Sequence, residues 1–482
     1  MILGIDLGTT GIKGIIVNYE GKVLKKTYRK LNIESPRLGW MEQNPREWWE
    51  KTKDIIKELT KEYEIETLSI SGQMHSLVLL DEKDNLLYNA ILWNDQRTKK
   101  ESYYATKILG GIDNVIKELG NPILTGFTLP KLLWIKENHI DIYKKINKIF
   151  LPKDYISYML TGIHVSEYSD ISGTAMYDIR NRKWSEIILK KFNINNKILP
   201  KIINSGKVIG VVQKNIADEL KLKNTLVVSG GADNACAALG IGVVRNEIMI
   251  SLGTSGTVLK PVKNGIPDKR IHLFEHVIPK TKYYMGVMLS ATHTFDWFKK
   301  NFISENITFD EINKYISNIP LGSNGVIFLP YLNGERTPHN NPNAKGIIFG
   351  LTTFNTKWDI IKAIYEGVAF GLKDSIEIIK SFGYEINEII VTGGGSKSYI
   401  WINILSDIIG FPIKKSKINE GAAYGAAILA YAGLTNSNPY EIAKKWIKYT
   451  EPILYNKENF EKYKNIYSKY KKLYLQTKEL LN

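Results

Sequence analysis

The chemistry concentrates at two acids that each end a short apolar run. Asp6 follows the run 2–5 and opens Asp6-Leu7-Gly8-Thr9-Thr10-Gly11. Asp233 ends the stretch Leu226-Val227-Val228-Ser229-Gly230-Gly231-Ala232-Asp233. The apolar runs read as buried strands and the glycines as sharp turns. Asp233 then stands at the start of a small-residue helix expected over 234–242. Free N–H groups and the positive end of the helix dipole favour an anion there, so Asp233 is expected to stay ionised. A plain helix cap is the competing reading of that position.

Two glycine-rich loops complete the pattern. Leu252-Gly253-Thr254-Ser255-Gly256 follows a strand expected over 247–251, and its small residues leave backbone N–H groups free to face an anion. Gly393-Gly394-Gly395-Ser396 lets the backbone approach a flat ligand closely. Ile5-Asp6-Leu7-Gly8-Thr9-Thr10-Gly11 also lines up with Ile250-Ser251-Leu252-Gly253-Thr254-Ser255-Gly256. A fainter pair sets 228–233 against 391–396. Both pairs keep the same order, which points to two related halves, the first of them longer. The halves differ where it matters: Asp6 in one loop is Ser251 in the other. A nucleotide held between the loops needs Mg²⁺ on one side of its phosphates, and Mg²⁺ prefers carboxylate oxygens and water. Asp6 is the metal-side group of this pair. The hydroxyls of Thr9, Thr10, Thr254 and Ser255 would meet phosphate oxygens.

A third group of residues suits a polyhydroxylated ligand. Met74 and His75 follow the strand expected over 67–71, and Trp93, Asn94 and Asp95 end another. Strand ends are where ligands sit in α/β sheets. His75, Asn94 and Asp95 mix donors and acceptors, and Trp93 offers a flat apolar wall. A satisfied core histidine is the bland alternative for His75. Tyr168-Ser169-Asp170 is a further candidate for the same cleft. His272 and His276 would suit a metal only on a helix, and no third ligand follows, so they read as structural.

Composition narrows the class. With 482 residues the chain exceeds one core, so two domains are expected. The net charge of +16 comes from scattered lysines without a nucleic-acid motif, so no nucleic-acid partner is expected; a bound ATP suits the sign equally well. No apolar run has membrane-spanning length, the start MILGIDLG is unlike a signal peptide, and the single cysteine, Cys236, forbids an internal disulfide. A cytoplasmic protein without a membrane partner is expected. The tail spaces Phe460, Tyr463, Tyr467, Tyr470 and Tyr474 as one face of a long helix, suited to docking on its own domain or in a homodimer.

Taken together, GIDLGTTGIK, GGADNA, SLGTSG and VTGGGSKS resemble the FGGY carbohydrate kinases along nearly the whole chain. GWMEQNPREWW, GQMHS, ILWNDQR, LPKDYISYMLTG, SDISGT and YLNGERTPHNNPNAKG resemble the members that act on D-xylulose. The resemblance implies an α/β fold of two ribonuclease-H-like domains, as in actin and the 70-kDa chaperones, with a cleft between them. The division is expected at 1–244 and 245–482. It also implies ATP-dependent phosphorylation of the 5-hydroxyl, with Asp233 as catalytic base and Asp6 near the metal and phosphates. The expected sugar set is Met74, His75, Trp93, Asn94, Asp95, Asp233 and Asn234. The expected nucleotide set is Gly8, Thr9, Thr10, Lys13, Gly253, Thr254, Ser255, Gly393, Gly394 and Gly395. Mg²⁺ is assigned to Asp6 and Asp233. Two departures stand out: Ala232 replaces a glycine of the usual motif, and His293 stands where a small residue is usual, so a border with the cleft there would alter sugar fit.

Overall fold

The computed structural model describes residues 1–303 and 307–481. Each half is built on a six-stranded mixed sheet. The first contains β1 (Ile2–Leu7), β2 (Gly11–Val17), β3 (Val23–Lys30), β4 (Thr67–Gly72), β5 (Val208–Val211) and β6 (Leu226–Ala232), in the spatial order β5-β6-β4-β1-β2-β3. The second contains β7 (Glu247–Leu252), β8 (Gly256–Val262), β9 (His272–Glu275), β10 (Lys282–Met288), β11 (Glu388–Thr392) and β12 (Ile413–Lys415), in the order β9-β10-β8-β7-β11-β12. In each sheet three strands form an antiparallel meander, and two more run parallel to the first strand of that meander. This is the ribonuclease-H-like order, and it occurs twice.

Superposing the two orders pairs β1 with β7 and β2 with β8, so the matched seven-residue loops are equivalent β1–β2 and β7–β8 turns. The fainter sequence match does not survive. Its members end β6, the fifth strand of the shared order, and β11, the fourth. Both are strand ends where the chain turns sharply in close quarters, which favours glycine in each. The long insertions also fall in different places: 73–225 between β4 and β6, and 289–387 between β10 and β11.

The helices follow from local signals. Asn44 caps α1 (Pro45–Leu59) by accepting from the Arg46 N–H, with Pro45 in the first turn. The helix buries Trp48, Trp49, Thr52, Ile55, Ile56 and Leu59, the apolar set that its spacing marks. Helix α2 (Pro152–Thr161) is almost wholly buried. Helix α3 (Asp233–Gly240) follows β6 directly, starting one residue before the expected span and ending two before it. In the second half α4 (Lys357–Ser381) and α5 (Tyr399–Ile409) cover the sheet. The tail helix α7 (Lys457–Thr477) docks on its own domain, burying Tyr463, Tyr467, Tyr470 and Tyr474. Its hydroxyls are satisfied there: Tyr463 donates to Glu366, Tyr467 to Asp374, and Tyr470 pairs with Tyr331. Among the described residues no helix is long and apolar enough to cross a membrane.

The halves are joined by α3 and α6 (Gly421–Thr435, GAAYGAAILAYAGLT), which cross at small residues. A Cβ on Gly425 would lie 1.9 Å from the Cys236 carbonyl oxygen, and one on Gly240 would lie 2.0 Å from that of Gly421. Although α6 follows β12 in the chain, it packs on the first sheet: a Cβ on Gly4 would lie 2.1 Å from the Ala423 carbonyl oxygen. Side chains at these positions would force the helices apart. Gly425→Ala is therefore expected to destabilise the fold by about 1–3 kcal/mol, seen as a lower Tm, whereas Ala422→Gly at the half-buried end of α6 changes it by about 1 kcal/mol or less.

Candidate active site

Asp6 and Asp233 meet at the carboxyl ends of β1 and β6. Register carries Asp6 opposite Ser71, and Ser71 opposite Gly231, so the two acids flank the end of β4. Burial pushes the Asp233 carboxyl up to about 7, and the charge of Asp6 adds to the rise. The backbone and side-chain N–H groups of Asn234 donate to Asp233 Oδ1 at 2.7 and 2.9 Å and offset part of it. The helix start therefore does not dominate: loss of water outweighs the dipole and moves the carboxyl up toward neutral pH. Burial also raises Asp6, to about 6, against the opposing pull of the Lys13 charge and the nearby Ser71 hydroxyl. Its Oδ1 is buried with no hydrogen-bond partner among the described residues.

A cavity of about 250 Å³ opens beside Asp233. Its first-half wall includes Met74, His75, Trp93, Phe127 and Asn234; its second-half wall includes Ser255, Thr257, Met285, Val287 and Arg336. His75 is held from three sides. Its ring stacks on Phe127 at 4.4 Å between centroids, and Nδ1 faces the Gly173 carbonyl oxygen at 2.6 Å. That contact puts the proton on Nδ1 and leaves Nε2 as an acceptor. Burial, with help from Lys131 and Arg336, pushes the imidazole down to about 3, so it is neutral. The backbone at His75 has φ of 68°, and its carbonyl accepts from Lys131 Nζ at 2.9 Å and Thr128 Oγ1 at 3.0 Å. Lys131 Nζ also donates to the Gly126 carbonyl at 2.6 Å, which fixes a second wall of the cavity. Fully buried without a carboxylate contact, this amine is held well below the ordinary lysine range by burial.

The loops of the two halves approach the same space. Trp93 Nε1 donates to Thr9 Oγ1 at 2.9 Å, so the first loop touches a cavity residue that shares its lining with Ser255 of the second loop. Gly8 and Thr10 shape the first turn: the Gly8 N–H donates to the Gly11 carbonyl, and the Thr10 carbonyl accepts from Leu31 N–H. Gly253 closes its loop on Ser255, and the Thr254 carbonyl accepts from Ala291 and His293 N–H groups. Lys13 forms an ion pair with Glu420 at 3.1 Å. Beyond the second loop lies a larger cleft of about 710 Å³ at the ends of β11 and β12, with Gly393, Gly394, Lys397, Lys415 and Asn419 in its lining. A Cβ on Gly393 would fall 2.6 Å from the Leu252 carbonyl oxygen, so only glycine lets this run lie against the second loop. Gly395 packs inward on Leu252 instead of lining the cleft.

Several expected residues lie elsewhere. Asp95 is fully buried and spends both oxygens on Arg97 and the Met41 N–H, so it braces the Arg97–Trp40 stack and does not line the cavity. Asn94 beside it is also absent from the lining. Ser169 and Asp170 are buried under β6, where Ser169 Oγ accepts from Ala232 N–H at 2.9 Å. His272 begins strand β9 and His276 follows its last residue, so neither is on a helix; both are buried and pushed toward the neutral form by burial. His293 lies in the first turn of the helix Thr292–Phe302, outside the cavity lining, and its backbone N–H donates to the Thr254 carbonyl of the second loop. Sequence reasoning missed Arg336, Thr257 and Lys131. Arg336 lies in YLNGERTPHNNPNAKG, a stretch that carries the family resemblance without a residue role attached to it, and Thr257 and Lys131 carry no local signal.

Two ribonuclease-H-like sheets face one cleft, with acids at one set of strand ends and glycine loops at the other. That is the architecture of an actin-like phosphotransferase. Residues 1–240 match the N-terminal domain, and residues 248–434 the C-terminal domain, of the FGGY family of carbohydrate kinases. The chain belongs to this family and is a carbohydrate kinase. It is 40% identical to a xylulose kinase of Staphylococcus epidermidis, over 100% of this chain and 97% of that protein. A solved structure named as a xyloylose kinase from Brucella ovis superposes with a TM-score of 0.94 at 32% identity, covering 99% of each chain. A gluconate kinase structure from Lactobacillus acidophilus gives the same TM-score at 26% identity, over 99% of this chain and 98% of that one.

The buttressing of His75 yields a test. Lys131→Met keeps the volume of the side chain but removes both donated hydrogen bonds. The KM for the sugar is expected to rise about 5- to 100-fold, with the KM for ATP changed less than about twofold. A loss of both in parallel with Tm would mark Lys131 as a folding residue only.

Proposed function

We propose that the protein transfers the γ-phosphoryl group of ATP to the 5-hydroxyl of D-xylulose. The observation that carries this reading is the cavity that joins Met74 and His75 to Asp233 and to Ser255 of the phosphate-side loop. The 40% identity to a xylulose kinase over the full chain supports the choice of sugar. The neighbouring cleft by Gly393 and Gly394 suits the nucleotide base and ribose, with Gly253, Thr254 and Ser255 toward the phosphates. A closed cleft of this kind excludes water and aligns the hydroxyl with the phosphorus.

Asp233 serves as the proton acceptor. A carboxyl held near 7 is matched to its task, because it is substantially ionised at working pH yet basic enough to accept the hydroxyl proton late in a loose transition state. Asn234 donates to the same oxygen and orients it. His75 accepts a sugar hydroxyl through Nε2, and Met74 and Trp93 give apolar contact. The unpartnered Asp6 Oδ1 and the mutual repulsion of the two acids fit a divalent cation, which Asp6 and Asp233 would hold directly or through water. When bound, Mg²⁺ supplies positive charge to the phosphate oxygens. Lys13 stands on the neighbouring strand to add to it once released from Glu420. We place the reaction in the cytoplasm, where ATP is available.

The gluconate kinase likeness favours one second reading, a different acceptor for the same machinery. A non-catalytic nucleotide switch would have no use for the His75 cavity. ADP release measured over D-xylulose, D-ribulose, D-gluconate and glycerol separates these readings. The highest kcat/KM is expected with D-xylulose; a flat panel without sugar-dependent turnover would support the switch.

Asp233→Asn keeps the shape and removes the base. A loss in kcat of about 10²- to 10⁴-fold is expected, with nucleotide affinity little changed. Stability moves the other way. The folded carboxyl titrates near 7, above its unfolded value, so its contribution is full below the unfolded value and is lost as pH rises through 7. Ligand-free Asp233→Asn is therefore expected to melt above the wild type at pH 8, with the gap closing toward pH 4. A wild-type kcat in the variant would remove Asp233 from the chemistry.

A further inference from the structure

The sugar contacts expected from sequence all come from the first half, up to Asn234. The cavity nevertheless has a second-half wall that carries two polar groups with nothing to bind. Thr257 Oγ1 is buried and, among the described residues, has no hydrogen-bond partner. Arg336 lines the same cavity, and among the described residues its guanidinium makes no hydrogen bond or ion pair. Glu335, next in the chain, is not its partner: Glu335 Oε1 accepts from the backbone N–H groups of Arg336 and Leu289 at 2.7 and 3.1 Å.

Both groups are built in place. Thr257 stands directly opposite Val287 in the β8–β10 pairing. The loop carrying Arg336 is tied to that same residue, since the Thr337 N–H donates to the Val287 carbonyl at 3.0 Å and the Val287 N–H donates to Thr337 Oγ1 at 3.1 Å. Paired backbone bonds between Glu335 and Asn341 close the loop. Arg336 is near enough to His75 and His272 for its charge to help keep both neutral.

The chemistry of the two walls is complementary. The first half offers acceptors, His75 Nε2 and Asp233. The second offers the donors of a guanidinium, which cannot accept, and a hydroxyl that can do either. A sugar hydroxyl donates to one wall and accepts from the other in a single position. We propose that Arg336 and Thr257 are sugar-binding residues that bind D-xylulose oxygens from the second half and couple sugar binding to the half that carries the nucleotide loops. The inference rests on the kinase reading above and adds the second wall to its sugar site.

The test compares Arg336→Gln, Arg336→Lys and Thr257→Val with the wild type by KM for D-xylulose, KM for ATP and Tm. Arg336→Gln is expected to raise the sugar KM about 10- to 150-fold, and Thr257→Val about 2- to 12-fold, with Tm and the ATP KM near wild type. Arg336→Lys should fall between wild type and Gln, because it keeps the charge and loses the fork. A wild-type sugar KM in folded Arg336→Gln overturns the inference while leaving the kinase reading intact. If Arg336→Gln fails to fold, Arg336→Lys and Thr257→Val decide, and unchanged sugar KM in both overturns it. A wild type that prefers another sugar corrects the substrate, and the same KM comparison on that sugar supports or overturns the two-wall site. A wild type that phosphorylates no sugar overturns both readings together.

Discussion

The structure depends on keeping two like-charged acids together at the ends of buried strands. Both acids are buried away from solvent, which raises both, and the charge of Asp6 adds to the cost of ionising Asp233. Such a pair persists only where the surrounding backbone is tightly fixed. Gly72 between them leaves no spare room, since a Cβ there would lie 3.0 Å from that of Lys153. Lys153 in turn is fully buried at the start of α2, against Asp154, Glu167 and Asp170. Glu167 accepts from Ser169, and Ser169 holds the Ala232 N–H just before Asp233. The buried cation and its carboxylates thus act as a brace under the site. The glycine contacts between α3 and α6 perform the same service from the other side.

The fold also divides the work between its halves. The first half presents the acids, the Gly8 loop and the cavity histidine. The second presents the Gly253 and Gly393 loops and a guanidinium. Within the first half, Trp93 ties the cavity wall to the first loop through its bond to Thr9. The junction is apolar and close-packed, with α6 lying on the first sheet although it follows the second in sequence.

Much of this was legible in the chain because the signals are local. Asp6 and Asp233 declare themselves by an acid after an apolar run and before small residues. The β1–β2 and β7–β8 turns declare themselves by repeating. Asn44-Pro45 marks the start of α1, and the tyrosines mark the buried face of α7. What escaped is set by partners distant in sequence. Asp95 has the composition of a ligand residue, but Arg97 and the Met41 backbone consume it. Arg336 has a nearby glutamate, yet that glutamate turns to backbone N–H groups and leaves the guanidinium facing the cavity. The rise of the Asp233 carboxyl was not legible, because a helix start is visible in sequence whereas the loss of water around it is not. The glycine match between β6 and β11 misled for a related reason: similar turns arise wherever a strand end meets a ligand.

The central claim is that Asp233 is held near neutral pH by burial beside Asp6. Carbon-13 spectra of ligand-free protein labelled at the aspartate carboxyl, recorded from pH 4 to 9 for wild type and Asp233→Asn, read it directly. The expected result is a carboxyl titrating near 7 that is missing in Asp233→Asn and moves down in Asp6→Asn, distinct from the buried Asp374 carboxyl, which is also pushed up to about 7 and which neither substitution removes. An Asp233 carboxyl that titrates at about 4, the ordinary carboxylate range, would contradict the account.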